Sequence, residues 1–140
     1  MYLSSELPIK KAENIELLVD NTRKQYKFGD IENLRGKHIR MIDAYRAADV
    51  PVTPLGNVNV SDTIFNKAFL VLSVDGKEVI NRLPLTAICP KDNLGRRQLF
   101  NDLLINWPKS YIELGDTTGV VVGTSFYLIV YYEDQAFVKK

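Results

Sequence analysis

The sequence predicts an all-β fold: a single-domain antiparallel β-sandwich of jelly-roll type, with an extended N-terminal arm. Three observations lead there. Several short β-prone runs are separated by Gly, Pro, Asn and Asp turn signals, with no regular strand–helix alternation. An Asp75-Gly76 pair stands between two such runs, and Asp-Gly suits a two-residue hairpin turn that needs positive φ at both central positions. Residues 125–132, Ser-Phe-Tyr-Leu-Ile-Val-Tyr-Tyr, carry large side chains on both strand faces without charge, proline or glycine.

Residues 1–13 mix Ser, Pro and Lys with scattered Leu and Ile and show no clean period, so they read as the arm, and residues 14–140 as the sandwich domain. Alternation over residues 23–28 suits a half-exposed strand closed by Gly29-Asp30. Residues 34–37 read as a turn. In 38–46, Ile39, Met41 and Tyr45 fit one strand face while Ile39, Ile42 and Arg46 fit a helix; β-branched content tilts the reading to strand. Residues 47–60, with Pro51, Pro54 and Gly56, form a long irregular connection of the kind that often makes contacts. The hairpin of residues 68–85 is predicted to pair Val74 with Lys77, Leu72 with Val79 and Leu70 with Asn81, and Pro84 ends the pairing or marks an edge. Residues 98–104 fit one or two helical turns or the entry to a strand at 103–107 that resumes at 110–114. Residues 120–122 read as a short strand between two glycine breaks. The strand at 125–132 would aggregate on an open edge, so it is expected to be central or covered.

At 140 residues and 46% hydrophobic content the chain is long enough to bury a core, which argues against wholesale disorder. A formal net charge of +1 gives no overall electrostatic case for nucleic acid or an acidic membrane. A lone cysteine, Cys89, excludes an intrachain disulfide framework and reads as a small buried hydrophobe. There is neither a signal-peptide pattern at the start nor an apolar run long enough to span a bilayer, so a soluble protein made in a reducing cytoplasm is expected.

Catalytic inventory is thin. His38 is the sole histidine and lies among Lys37 and Arg40, an unsuitable place for a metal cation, so no metal or cofactor is expected. Asp43, Asp62, Asp102 and Glu113 are the carboxylates available for acid–base work, but no spacing selects a pair, and the chain is not expected to be an enzyme. Trp107 and Tyr111 could stack on a sugar ring, with Arg96 and Arg97 clamping an anion; core tryptophan and solvated loop charges are the simpler readings. Tyr127, Ile129 and Tyr131 of the last strand, with Tyr2, Leu3, Leu7 and Ile9 of the arm, are the candidate interface.

Residues 34–39 (Leu-Arg-Gly-Lys-His-Ile), the proline-bearing loop at 52–56, the hairpin closing on Leu83-Pro84-Leu85, residues 105–112 (Ile-Asn-Trp-Pro-Lys-Ser-Tyr-Ile) and the tyrosine-rich final strand together resemble small β-sandwich structural proteins of bacteriophage virions: jelly-roll capsid, vertex (penton) and auxiliary head proteins. The resemblance is one of style over residues 34–132 and carries no catalytic or binding residue. It implies a non-enzymatic subunit of the virion, made in the host cytoplasm, that assembles with other copies of itself and with other structural proteins of the particle. A carbohydrate-binding β-sandwich module is the alternative. The physical expectation shared with this reading is that the chain has more apolar strand surface than it can cover alone.

Overall fold

The computed structural model describes residues 11–75, 77–90 and 99–134, with side chains throughout except at 99–102. Eight strands run through them: β1 (Lys11–Leu18), β2 (Gln25–Lys27), β3 (His38–Tyr45), β4 (Ala68–Val74), β5 (Lys77–Pro84), β6 (Leu99–Leu103), β7 (Tyr111–Leu114) and β8 (Ser125–Glu133). A single α-helical turn, α1 (Asp62–Phe65), precedes β4. Within the ambiguous segment at 38–46, His38–Tyr45 is strand; residues 99–103 are strand rather than helix, and residues 104–107 do not form the strand the sequence allowed there. Lys11, Ala12 and Glu13, read from sequence as the end of the arm, are the first residues of β1.

The chain is doubled back on itself about the Asp75 turn. β1 pairs with β8, β2 with β7, β3 with β6 and β4 with β5, each pair antiparallel and nested inside the one before. Two further antiparallel pairings, β3 with β8 and β4 with β7, gather the strands into two sheets of order β1-β8-β3-β6 and β2-β7-β4-β5. Placing Asp75 at φ 51 lets Val74 meet Lys77 across two residues, as the Asp-Gly signal requires.

Strand alternation then builds the core. Phe126, Leu128 and Val130 of β8 face Leu70, Ile112 and Leu114 of the second sheet, all essentially without solvent contact. Connections close the ends of this core: Leu34, Phe65, Leu85 and Ile88 join it, and Trp107 meets Phe28 edge-on at 5.2 Å between ring centroids. Cys89 is buried, as its apolar sequence context suggests. β8 lies between β1 and β3, so the most aggregation-prone stretch of the sequence is paired on both edges.

Away from the turn, the hairpin register departs from a plain two-residue ladder. Leu72 lies opposite Ile80, and Leu70 opposite Leu83, because Val79 and then one of the pair Asn81–Arg82 are extra residues on β5. Arg82 adopts φ 57 at the second bulge. Turn chemistry fixes register only next to the turn; a bulge resets it without any change in residue type. The two bulges make β5 an irregular edge whose side chains are mostly exposed, and Pro84 ends it, as expected of proline at an edge.

Candidate functional site

The outer face of each sheet is where the sequence leaves apolar surplus. On the second sheet, Phe69 and Val71 of β4 point outward. Two side-chain bridges from β5 to β7 pass over them: Arg82 donates to Glu113 at 3.0 Å, and the Tyr111 hydroxyl donates to Glu78 at 3.3 Å. Val71 is buried as a result. Burial, with the nearby Glu78 carboxylate second, pushes the Tyr111 phenol above its ordinary value. The sequence predicts more apolar strand surface than the chain covers alone; over β4 the chain's own long polar side chains bridge the outer face, with Phe69 half-buried.

On the first sheet, Met41, Asp43 and Tyr45 of β3 share the outer face with Tyr127, Ile129 and Tyr131 of β8. Tyr127, a predicted interface residue, is only 1% exposed. It forms a small second core with Tyr45 and Val60, its ring 5.6 Å from that of Tyr45, and its hydroxyl donates to the Asn14 side-chain carbonyl. As a contact that loses solvent on assembly, Tyr127 is therefore corrected. Ile129 and Tyr131 are half-buried. Tyr2, Leu3, Leu7 and Ile9 lie outside the described residues, as do Arg96 and Arg97.

The residues singled out for chemistry are not brought together. Trp107 is 3% exposed and presents no ring face to a sugar, which corrects its role as a ligand contact; Tyr111 is half-buried and bridged to Glu78. Asp43 is buried on the first sheet's outer face, beside the Tyr45 hydroxyl at 3.4 Å. Asp62 accepts from the Ala47 backbone N–H at 2.9 Å, and Glu113 holds Arg82 on the opposite outer face. The Asp102 side chain lies outside those described. Among the described residues, no group of three or more His, Cys, Asp or Glu could hold a metal ion, and no helix is long and apolar enough to cross a membrane.

The two ends of the sandwich differ sharply. One end gathers the connections 19–24, 46–67, 85–90 and 115–124, and the other holds 28–37, the Asp75 turn, 104–110 and the outer ends of β1 and β8. Of the large apolar side chains exposed among the described residues, Leu18, Val52, Leu55, Val121 and Val122 are at the first end, leaving Val79 and Leu104 elsewhere. Among the described residues, several charges at this apolar end are tied to their own chain. Lys67 pairs with Asp116 at 2.7 Å, Asp62 caps the Ala47 N–H, and Arg46 donates to the Asn66 side chain at 3.0 Å. Lys67 and the Thr118 N–H hold the Asp116 carboxyl below its usual range. The opposite end is charge-rich: Lys11 and Lys37 converge on Asp134, and Arg35 pairs with Asp30.

Beside the apolar tip, where the edge strands β1 and β2 diverge, lies a groove of about 400 Å3. Leu17, Leu18 and Tyr26 supply its apolar lining, and Asp20, Arg23 and Lys27 its charge. The Tyr26 hydroxyl donates to the Asn21 carbonyl at 2.9 Å, and burial raises its ionisation above the ordinary value. The sequence reading missed the apolar end because it expects residues 120–122 to be a strand. They are instead a turn flanked by Gly119 and Gly123, at φ 85 and 100. The positive φ of the glycines on either side turns the three valines out of any ladder, and Gly-Val-Val-Val-Gly was the available signal.

No protein-family model, no curated protein and no solved structure matches this chain.

Proposed function

We propose that the chain is a non-enzymatic structural subunit of a bacteriophage virion, in a vertex, minor or auxiliary position of the capsid, and that its sandwich is a jelly roll. The observation that carries the fold reading is the nested pairing of the first four strands with the last four, rolled into two four-stranded sheets. Two features support assembly as the role. Exposed apolar side chains gather at one end of the sandwich, and the residues offered for catalysis lie on different faces. A surface of that kind fits contact with protein better than turnover of a small molecule. Its partners on this reading are further copies of the chain and other structural proteins of the particle.

An antiserum raised against the purified chain tests the role. Applied to purified virus particles from the source culture, it is expected to decorate particles in immuno-electron microscopy. Labelling confined to the soluble fraction of host cells would overturn the proposal.

A further inference from the structure

We infer that the outer edge of β2, Gln25–Lys27, is a strand-addition site for an extended, acidic segment of a partner protein. This contact deepens the assembly role proposed above and rests on it.

Three observations carry it. First, β2 has backbone groups to offer. In its antiparallel ladder with β7, the Lys24 carbonyl accepts from the Leu114 N–H at 2.8 Å, and the Phe28 N–H donates to the Ser110 carbonyl at 3.0 Å. Backbone groups alternate in direction along a strand, so Lys24, Tyr26 and Phe28 bond toward β7. The N–H and C=O groups of Gln25 and Lys27 therefore face the other way. β2 is the end strand of its sheet, and among the described residues no backbone bond outside that ladder reaches Gln25 or Lys27.

Second, the space beside this edge suits a strand with two unlike faces. Leu17, Leu18 and Tyr26 line the groove, with Tyr26 pointing inward, whereas Gln25 and Lys27 are exposed on the sheet's outer face. A strand laid along Gln25–Lys27 turns alternate side chains to these two sides. Aliphatic side chains then enter the groove, and polar ones lie along the outer face.

Third, charge selects those polar side chains. Residues 20–27 hold one acid, Asp20, and three bases, Arg23, Lys24 and Lys27. Asp20 accepts from the Asn21 side chain at 2.6 Å and stands 3.9 Å from Arg23. Nearby carboxylates are engaged as well: Glu113 by Arg82 at 3.0 Å, and Glu16 by the Ser125 hydroxyl at 2.8 Å. Lys24 and Lys27 are exposed and make no ion pair among the described residues. Acidic side chains on the added strand complement them, whereas the β2 edge of a second copy would set lysine against lysine across the new ladder. The β2 edge is remote from β5 and β6, at the opposite edges of the two sheets, and from Lys11 and Asp134, at the far end of β1 and β8.

Fluorescence anisotropy with short labelled peptides, added to the full chain, tests the contact. A blocked Glu-Val-Glu-Val-Glu peptide is expected to bind, and Lys-Val-Lys-Val-Lys is not. N-methylation of the glutamates keeps the charge but removes the ladder donors, and is expected to weaken binding by at least about tenfold. The double variant Lys24→Glu/Lys27→Glu is expected to weaken it by a similar factor, about tenfold. Lys77→Glu, at the start of β5, is the control and should bind like the wild type; circular dichroism checks that each variant is folded. No binding at millimolar peptide, equal binding of the N-methylated peptide, or unchanged binding in the double variant would overturn strand addition at β2. Sedimentation equilibrium adds a further readout: wild-type self-association that the double variant loses would assign the edge to a second copy and overturn the acidic partner. Each of these failures leaves the shell reading to its immunolabelling test, and peptide binding without particle labelling would remove the shell role alone.

Discussion

Arg82 meets two demands at one position. Its backbone sits at φ 57, a region that costs a side-chain-bearing residue about 1 kcal/mol, and its guanidinium crosses β4 to reach Glu113. The bulge gives the side chain its direction, and the crossing helps cover Val71. Both Arg82→Ala and Arg82→Gly lose the bridge, but only glycine removes the backbone cost. Urea denaturation is therefore expected to show Arg82→Gly as the less destabilised of the two, by up to about 1 kcal/mol. The ion pair itself contributes little, since Arg82 is largely solvent-facing. Asp116 gives a residue-scale test by pH. Its folded-state ionisation lies below the unfolded reference of 3.8, so the contribution of its tie to Lys67 is present above that value. That contribution fades only as the pH falls through the lower folded value. Asp116→Asn is expected to flatten the stability–pH profile below about pH 4, measured by thermal unfolding across an acid series.

At the scale of elements, the loop 115–124 depends on Gly119. A Cβ there would come within 2.8 Å of the Thr63 methyl on α1, at a φ of 85 that disfavours any side chain. Gly119→Ala is expected to cost about 2 kcal/mol and to loosen the loop, seen as faster amide exchange at Gly123 and Thr124 than at β8. How far elements were legible follows from how each is specified. β8 announced itself because its two-sided apolar pattern requires cover on both faces, and it is flanked on both edges. The Asp75 turn was legible because a backbone requirement restricts its residues. β1 was not, since Lys-Ala-Glu-Asn opens it with polar residues; its pairing comes from β8, more than a hundred residues away. The bulges of β5 left no mark either, because ordinary residues make them. Val120, Val121 and Val122 have strand propensity but do not join a ladder, so local preference pointed the wrong way.

Across the whole molecule, two polarities coexist: a core between the sheets and a contrast between ends. The first was readable as alternation along strands. The second was not, because it arises only when the nested pairing sends 19–24, 46–67 and 115–124 to one side and the segment 28–37, with its ion pairs, to the other. The fate of Tyr127 illustrates the limit. Its position on the second face of β8 was correct, yet Tyr45 and Val60, from β3 and the segment before α1, already enclose it. Surplus apolar surface in a sequence is thus divided between a second, smaller core inside the subunit and a true outward patch, and only the arrangement of connections separates the two.

The tie between Lys11 and Asp134 has an engineering consequence. Because the first and last strands are neighbours, joining Asp134 to Lys11 with a short linker and reopening the backbone within the irregular connection near Val52 would leave every described ladder uncut. Such a circularly permuted variant is expected to keep the parent's β-type circular dichroism spectrum and a single cooperative melt. Its new termini would then emerge at the apolar end of the sandwich rather than at the charge-rich one.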